Sequence, residues 1–343
     1  MIGIDVSDRS IKVVQFTDRP PRRLLAHVMA DMPAGVMEAG VVQNGGAMQQ
    51  VVREALKGSQ VSLTANNAVV ASIPETQSFL RVIEIPTMRE DEISEAIQWE
   101  VAQHIPFGLE NVYVDWQPLA GGGGHNAAAG KQEILVGAAQ KKVIEPLHAT
   151  FAALALDVAA FELESQALTR ALVSPDLRYK QGILLVDLGG SSTNVVIHDH
   201  GTIRFTASLQ KGSDRIRDTL SPEEIQIINT RPDEVAPESA QAIERKLASM
   251  YQELVMEVNG IVEFYNGIDV QHEVREIILT GGGSNFPGLG AAFLRVFDNV
   301  HVQRGNPWVN IMTGAADHSA PMGIGESVRY ATALGLALRA APL

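Results

Sequence analysis

Cysteine is absent from this chain of 343 residues. Its absence excludes disulfide frameworks, thiolate metal sites and cysteine nucleophiles, and it fits a reducing compartment such as the cytoplasm. The mean hydropathy is +0.04, with 45% hydrophobic and 20% charged residues. That composition excludes wholesale disorder and low complexity, and the length predicts about two domains.

Basic residues are also scarce, since 27 Lys and Arg face 40 Asp and Glu for a net charge of −13. Such a field repels phosphate backbones, so nucleic acid is excluded as a partner. The most apolar stretch, Leu147 to Phe161, contains His148 and Asp157. It is shorter than the ~20 residues that a bilayer requires. The chain opens at Met1 with no basic segment followed by an apolar one, so we expect no secretory signal.

An internal repeat organises the chain. Residues 2–14 and 183–196 each read as an apolar strand, an aspartate, a turn of small polar residues and a second apolar strand. Superposing Asp187 on Asp5 also aligns Ser192 with Ser10, Val195 with Val13 and Val196 with Val14. The repeat predicts two similar α/β halves.

Alternating elements fill the two halves. Periodicity predicts strands over 67–73, 133–139 and 275–283, and helices over 48–57, 142–156, 243–265 and 326–339. A capping box of Ser221, Pro222 and Glu224 predicts a further helix start.

A separable insert lies in the first half. Thr87 to Glu90 resembles a capping box, and Ile93, Ile97 and Val101 recur at helical spacing until Pro106. Residues 112–117 then alternate between apolar and polar, and a glycine-rich run over 121–130 follows. We therefore predict a small α/β insert over residues 75–124.

The aspartates and glycines suggest phosphate chemistry. A carboxylate at the end of a buried strand, followed by a turn of small hydroxyl residues, can hold hydrated Mg²⁺ and bind phosphate oxygens. Two such turns, after Asp5 and Asp187, could hold one polyphosphate from both sides. The glycines at 281–283 let a base or a phosphate approach the main chain. Taken singly, each motif fits an ordinary turn equally well.

Three segments together resemble a known superfamily. Residues 3–14, 185–194 and 278–284 look like the phosphate-1, phosphate-2 and adenosine motifs of the actin/Hsp70/sugar-kinase superfamily. Within it, residues 85–107 and 330–339 resemble the PilM family of type IV pilus assembly, which is related to FtsA. No Gly-x-x-x-x-Gly-Lys-Ser/Thr loop or strand-linked Gly-x-Gly-x-x-Gly is present, so P-loop and Rossmann sites are excluded.

The resemblance implies an α/β fold of the duplicated actin-like, RNase H-like type, with two lobes and a small insert in the first. The expected divisions are a 1A-like first lobe (1–74, 125–165 and 326–343), a 1C-like insert (75–124), a 2A-like second lobe (166–210 and 275–325) and a 2B-like subdomain (211–274).

The resemblance also implies ATP and Mg²⁺ between the lobes, with Asp5 and Asp187 holding the metal through water. The implied nucleotide-binding residues are Asp5, Ser7, Asp8, Arg9, Ser10, Lys12, Asp187, Gly189, Gly190, Ser191, Ser192, Thr193, Asn194, Gly212, Gly281, Gly282, Gly283 and Ser284. The catalytic residues are unknown.

The implied partner is a PilN-like bitopic inner-membrane protein, whose short cytoplasmic N-terminus would bind where the insert meets the first lobe. We expect contact near Ile105, Pro106 and Phe107, although these side chains could equally seal the insert's own core. Pilus motor ATPases are further candidate partners. The protein would be cytoplasmic and recruited to the inner face of the membrane without inserting into it.

The first turn departs from the family pattern. It reads Asp5-Val-Ser-Asp-Arg-Ser10 where Asp-Ile-Gly-Ser-Ser-Ser is usual, so a side chain replaces the glycine that phosphate approaches. Arg9 could reach a terminal phosphate, or it could pair with Asp8. The segment expected to contact adenosine, Glu224 to Asn229, carries amides in place of charges. We therefore expect at most a slow ATPase.

Two alternatives stay open at this point. One is an FtsA-like polymerising protein of cell division, which would usually carry its own membrane-binding C-terminal helix. The other is an ATP-dependent small-molecule kinase, which needs an aspartate base in the cleft, and we expect no aspartate there besides Asp5 and Asp187.

Three polar residues remain uncertain. His198 and His200 could form a metal pair, but a hairpin turn explains them better. Gln140 could orient an attacking water, but a plain strand-end glutamine is the simpler interpretation.

Overall fold

The computed structural model describes the chain except residues 18, 20–21, 60, 62–67, 105–107, 120–129, 179–180, 231, 269–272, 312–319 and 340–343. The side chains of 90–91, 101–104, 233 and 268 also lie outside the description. The predicted contacts of Val101, Ile105, Pro106 and Phe107 therefore fall outside the described residues, as does most of the glycine-rich run.

The strands are β1 (Ile2–Val6), β2 (Ser10–Phe16), β3 (Leu24–Asp31), β4 (Met37–Glu38), β5 (Val41–Val42), β6 (Val69–Ile73), β7 (Ser78–Pro86), β8 (Val112–Pro118), β9 (Lys131–Gln140), β10 (Val158–Leu163), β11 (Gly182–Leu188), β12 (Thr193–Asp199), β13 (Thr202–Leu209), β14 (Val274–Thr280) and β15 (His301–Arg304).

The helices are α1 (Gly45–Gly58), α2 (Glu90–His104), α3 (Lys141–Ala153), α4 (Glu164–Leu172), α5 (Ser213–Arg217), α6 (Pro222–Thr230), α7 (Pro237–Ile268), α8 (Leu289–Leu294), α9 (Ile324–Ser327) and α10 (Ala331–Ala337).

Two large sheets form the core of the two lobes. A five-stranded sheet runs in the order β10-β6-β1-β2-β3, and an eight-stranded sheet runs β15-β14-β11-β12-β13-β7-β9-β8. The predicted repeat is confirmed, because β1 pairs antiparallel with β2 in one sheet as β11 pairs with β12 in the other. The first strand of each pair also has a parallel neighbour, since β1 pairs with β6 and β11 pairs with β14.

Local signals explain several helix ends. The capping box before α6 is confirmed, since Ser221 N donates to Glu224 Oε2 (2.8 Å) and Glu224 N donates to Ser221 Oγ (3.3 Å). The box predicted at Thr87 is wrong, because Thr87 N donates to the Gly130 carbonyl (2.8 Å). At α2 the Glu92 carboxylate instead accepts from Arg89 N (3.1 Å), so the capping contact lies two residues further along the chain.

The insert joins the second sheet. We placed the strand over 133–139 in the first lobe, but β9 pairs with β7 on one side and β8 on the other. Phe205 of β13 then faces Arg81 of β7, and within the described residues this register pair links the insert to the second lobe's strands. The other predicted subdomain boundaries stay predictions.

No helix in the described part of the chain is both long enough and apolar enough to cross a membrane.

Candidate functional site between the lobes

A cleft of about 620 Å³ lies between the lobes, and all three predicted glycine and aspartate motifs reach it. The first turn, the second turn and the glycine segment after β14 each contribute main chain and side chains to its wall. The predicted residues that line it are Asp5, Ser7, Arg9, Ser10, Lys12, Asp187, Gly189, Gly190, Ser191, Ser192, Asn194, Gly281 and Gly282.

Asp5 is fixed by two partners at the end of β1. Its Oδ2 accepts from Lys12 Nζ (2.8 Å), and its Oδ1 accepts from the Ser72 hydroxyl (3.2 Å). Ser72 Oγ also accepts from the main-chain N–H of Val6 (2.9 Å). The carboxylate is therefore buried, charge-paired and held in one orientation at the edge of the cleft.

Asp187 occupies the matching place at the end of β11. Burial raises its pKa to about 6, against the opposing attraction of Lys12, and Asp5 adds to the rise. Gly281 permits the close approach of the neighbouring loop, because it has φ 78° and a Cβ there would lie 2.4 Å from Asp187 Oδ1. A glycine is required here on both counts.

Glu164 is a cleft residue that the sequence analysis missed. It begins α4 directly after β10, so it is a carboxylate at a strand end, as Asp5 and Asp187 are. Its Oε2 accepts from Asn194 Nδ2 (2.8 Å) and from Glu75 N (3.3 Å). Burial raises its pKa well above the ordinary value, and repulsion from Asp5 and Asp187 adds to the rise.

The two turns differ in their free main-chain donors. In the first, Ser7 N donates to the Ser10 carbonyl (2.9 Å) and Ser10 N donates to Ser7 Oγ (3.2 Å). In the second, the amides of 190–192 have no hydrogen-bond partner within the described part of the chain. The second turn can therefore accept an anion through three consecutive amides, whereas in the first turn only the amides of 8 and 9 have no partner within the same part of the chain.

Arg9 does not pair with Asp8. Its Nε lies 2.5 Å from Oδ2 of Asp214 at the start of α5, across the cleft. Asp8 Oδ1 instead accepts from Gly40 N (2.9 Å), and Asp8 does not line the cleft. The neighbouring-residue pairing that we kept open is therefore wrong.

Four other predicted residues do not line the cleft. Thr193 is fully buried and donates its hydroxyl to the Lys211 carbonyl (2.5 Å). Gly283 packs on Leu188, and the Ser284 hydroxyl donates to Gly281 O (2.7 Å). Gly212 lies against the main chain of the second turn, where an added Cβ would meet Gly190 O at 2.0 Å. These residues shape the walls of the cleft.

The segment expected to contact adenosine also lies elsewhere. Glu224 pairs with Lys246 of α7 (2.6 Å) in addition to capping α6. Asn229 reaches the cleft only indirectly, since its Oδ1 accepts from Arg217 (2.9 Å), which does line it. Gln140 donates to Gln77 Oε1 (2.7 Å) outside the cleft.

The two histidines follow the hairpin interpretation. His198 is buried in β12, where burial lowers its pKa to about 4. His200 and Gly201 form the turn before β13 with φ 50° and 82°. Within the described residues, no three His, Asp or Glu side chains are grouped to hold a metal ion.

The cleft is acidic overall, with six carboxylates and four cations among its lining residues. The sequence analysis missed several of them, and our statement that the cleft has no aspartate beyond Asp5 and Asp187 is wrong. The missed charged residues are Asp31, Glu164, Asp214, Arg217, Asp218 and Arg329.

A second cavity, of about 850 Å³, lies where the insert meets both lobes. One wall is β8, the last strand of its sheet, whose outer edge has no neighbouring strand in the described ranges. The opposite walls come from β10 and α4 of the first lobe and from the β12–β13 turn of the second. We call this cavity the insert groove.

The duplicated strand, aspartate and turn units, set in two lobes around a polar cleft, define an actin-like fold. Among solved structures, the ethanolamine utilization protein EutJ from Carboxydothermus hydrogenoformans is 16% identical, with a TM-score of 0.55 over 98% of this chain and 88% of that one.

The PilM-PilN type IV pilus biogenesis complex gives a TM-score of 0.79 at 22% identity, over 100% of this chain and 98% of that one. The family model for type IV pilus assembly protein PilM matches residues 3–341, so the chain belongs to the PilM family.

Proposed function

We propose that the chain is a nucleotide-binding scaffold of type IV pilus assembly, with ATP and Mg²⁺ bound between its lobes. The observation that carries this proposal is the convergence of both aspartate turns and Gly281 on one cleft. The free amides of 190–192 would take phosphate oxygens, and Gly281 and Gly282 leave room for the adenosine.

The charges of the cleft suit a metal–nucleotide complex. Six carboxylates against four cations repel a bare triphosphate, so a divalent cation must accompany it. Asp5 and Asp187 end the two facing strands and would hold hydrated Mg²⁺. The metal would supply charge neutralisation at the phosphates, while Lys12 pairs with Asp5 and orients it.

Calorimetric titration with ATP and excess Mg²⁺ tests the site. We expect saturable binding below about 1 mM that weakens at least tenfold in Asp187→Asn. Asp176→Asn is the matched control, because Asp176 is exposed and does not line the cleft. Absence of binding up to millimolar Mg·ATP, with no difference between these variants, would contradict the proposal.

Hydrolysis should be slow. The closed first turn supplies few donors to a terminal phosphate, and a misplacement of about 1 Å can cost on the order of a hundredfold in rate. We expect a multiple-turnover rate well below about 1 s⁻¹, the lower end of the ordinary enzyme range. A faster rate in the isolated chain would favour the kinase-like alternative, for which Asp31 could act as base.

We also propose that the insert groove receives the cytoplasmic N-terminal segment of a PilN-like bitopic protein. Such a contact would recruit the chain to the inner face of the membrane. The unpaired edge of β8 offers main-chain hydrogen bonds to an extended peptide. Val114, Trp116 and Leu135 offer apolar contacts in the same groove.

Fluorescence anisotropy with the N-terminal peptide of the cognate PilN-like protein tests the groove. We expect Trp116→Ala to weaken binding about tenfold or more, because aromatic anchors carry much of the affinity of such interfaces. Trp99→Ala is the control, since Trp99 is 72% exposed on α2 and outside the groove. Equal affinity of both variants and the parent chain would place the peptide elsewhere.

A further inference from the structure

One ion pair crosses the mouth of the nucleotide cleft. Arg9 lies at the tip of the first turn, and its Nε is 2.5 Å from Oδ2 of Asp214 in the second lobe. The Arg9 side chain passes closely over the second turn, and a Cβ added to Gly190 would lie only 2.8 Å from Arg9 Cγ. Arg9 therefore occupies the space between the two turns.

The pair is exclusive on both sides. Arg9 has no second ion-pair partner among the residues described. Oδ2 of Asp214 has no hydrogen-bond partner in that part of the chain, so the ion pair with Arg9 is its one polar contact there. Breaking the contact thus frees one guanidinium and one carboxylate and disturbs no larger network.

The contact is also exposed enough to exchange. The Arg9 side chain is 63% exposed and that of Asp214 is 30% exposed, so solvent screens their attraction. A phosphate offers the guanidinium a bidentate, doubly charged partner in place of a single carboxylate. A terminal phosphate placed between the turns would compete with Asp214 for Arg9.

We propose that Asp214 sets the nucleotide affinity of this cleft by holding Arg9, which moves to the terminal phosphate when nucleotide binds. This inference rests on the proposed nucleotide site. Without ligand the pair ties the first turn to the second lobe, and with a triphosphate Arg9 becomes a phosphate ligand. Arg9 would then favour triphosphate over diphosphate, because only the former extends between the turns.

A titration of four variants tests the exchange. Asp214→Asn should tighten Mg·ATP about two- to fivefold, since Arg9 is then free. Asp218→Asn is the matched control, because it removes the same charge from the same cleft without touching Arg9. Arg9→Gln should weaken Mg·ATP more than Mg·ADP, and Asp214→Asn should give no gain in that background.

A ligand-free measurement separates the outcomes. The chain has no cysteine, so spin labels at Arg53→Cys on α1 and Gln252→Cys on α7 report the distance between the lobes. We expect a broader distance distribution in Asp214→Asn and Arg9→Gln, and no change in Asp218→Asn. Arg9→Lys, which keeps the charge, checks that the effect is not a loss of folding.

Two results would overturn this inference and leave the proposed function standing. One is an equal effect of Asp214→Asn and Asp218→Asn on Mg·ATP affinity. The other is an undiminished gain in affinity from Asp214→Asn in the Arg9→Gln background. Absence of nucleotide binding in every variant would instead overturn the proposed function and the exchange with it. In that case an unchanged distance distribution in Asp214→Asn would also show that the Arg9–Asp214 pair does not tie the lobes together without ligand.

Discussion

Lys12 Nζ lies 2.8 Å from Oδ2 of Asp5, and the side chains are only 17% and 5% exposed. Burial has the largest single effect and lowers the pKa of Lys12, but attraction to Asp5, the hydrogen bond to it and the attraction of more distant carboxylates together leave the pKa raised. Asp187 and Glu164 also attract this ammonium. One buried cation thus offsets the carboxylates on which the cleft depends.

Removing that cation should destabilise the fold. We expect Lys12→Met to lower the free energy of unfolding by about 3 kcal/mol, because it leaves buried carboxylates unpaired. Urea denaturation measures this change. The matched control is Lys131→Met, which breaks an exposed pair with Glu84 and should cost at most about 1 kcal/mol. Equal losses would contradict the role given to Lys12.

The raised pKa of Asp187 predicts a pH window for stability. Between its unfolded value of 3.8 and its folded value of about 6, the folded chain binds a proton that the unfolded chain has released. The contribution of Asp187 to stability therefore falls as pH rises through this window, by on the order of 3 kcal/mol. As pH rises from about 4 to about 6, the melting temperature of Asp187→Asn should therefore increase relative to that of the parent chain. Asp176→Asn should follow the parent chain.

The same titration should govern ligand affinity. A carboxylate that holds hydrated Mg²⁺ must be ionised, so protonation of Asp187 competes with the metal–nucleotide complex. We expect Mg·ATP affinity to fall about tenfold for each unit of pH below about 6. Calorimetric titrations from pH 5 to pH 8 measure the profile. A flat profile over this range would show that Asp187 takes no part in binding.

The aspartate turns were predictable because their signals are local. An apolar strand, an aspartate and a small polar turn follow one another within a few residues, and the repeat at Asp187 doubles the signal. The Ser221 capping box is similarly short-range and is confirmed. Such features depend on hydrogen bonds between near neighbours, which a sequence displays directly.

The remaining features depend on contacts between distant segments. Arg9 has a carboxylate beside it in Asp8, yet it pairs with Asp214 because the lobes bring the second turn across the first. The Glu164 carboxylate lines the cleft, where it accepts a hydrogen bond from Asn194 on the distant strand β12. The strand over 133–139 joins the insert because β7 and β8 satisfy its main chain on both sides.

The contact between α4 and α10 predicts a steric effect. Gly335 faces Ala167 so closely that an added Cβ would lie 1.9 Å from the Ala167 carbonyl oxygen. We expect Gly335→Ala to cost about 2–3 kcal/mol through displaced backbone. Gly260→Ala in α7 is the matched control, because nothing lies within 4 Å of its added Cβ. Gly260→Ala should raise the free energy of unfolding by about 0.5–1 kcal/mol, because alanine has a higher helix propensity than glycine.

The closed first turn predicts the effect of opening it. Ser7 Oγ donates to the Ser10 carbonyl (3.0 Å) and accepts from Ser10 N (3.2 Å), so the hydroxyl occupies the amide that a phosphate would use. Ser7→Ala frees this amide and should tighten Mg·ATP about two- to tenfold, the equivalent of one hydrogen bond worth about 0.5–1.5 kcal/mol. Ser7→Gly should tighten it further if the Cβ itself obstructs the phosphate. Calorimetry on the three proteins distinguishes the two causes, because equal gains assign the effect to the hydroxyl and a gain in Ser7→Gly alone assigns it to the Cβ. Unchanged affinity in both variants would mean that the phosphates are held by the second turn alone.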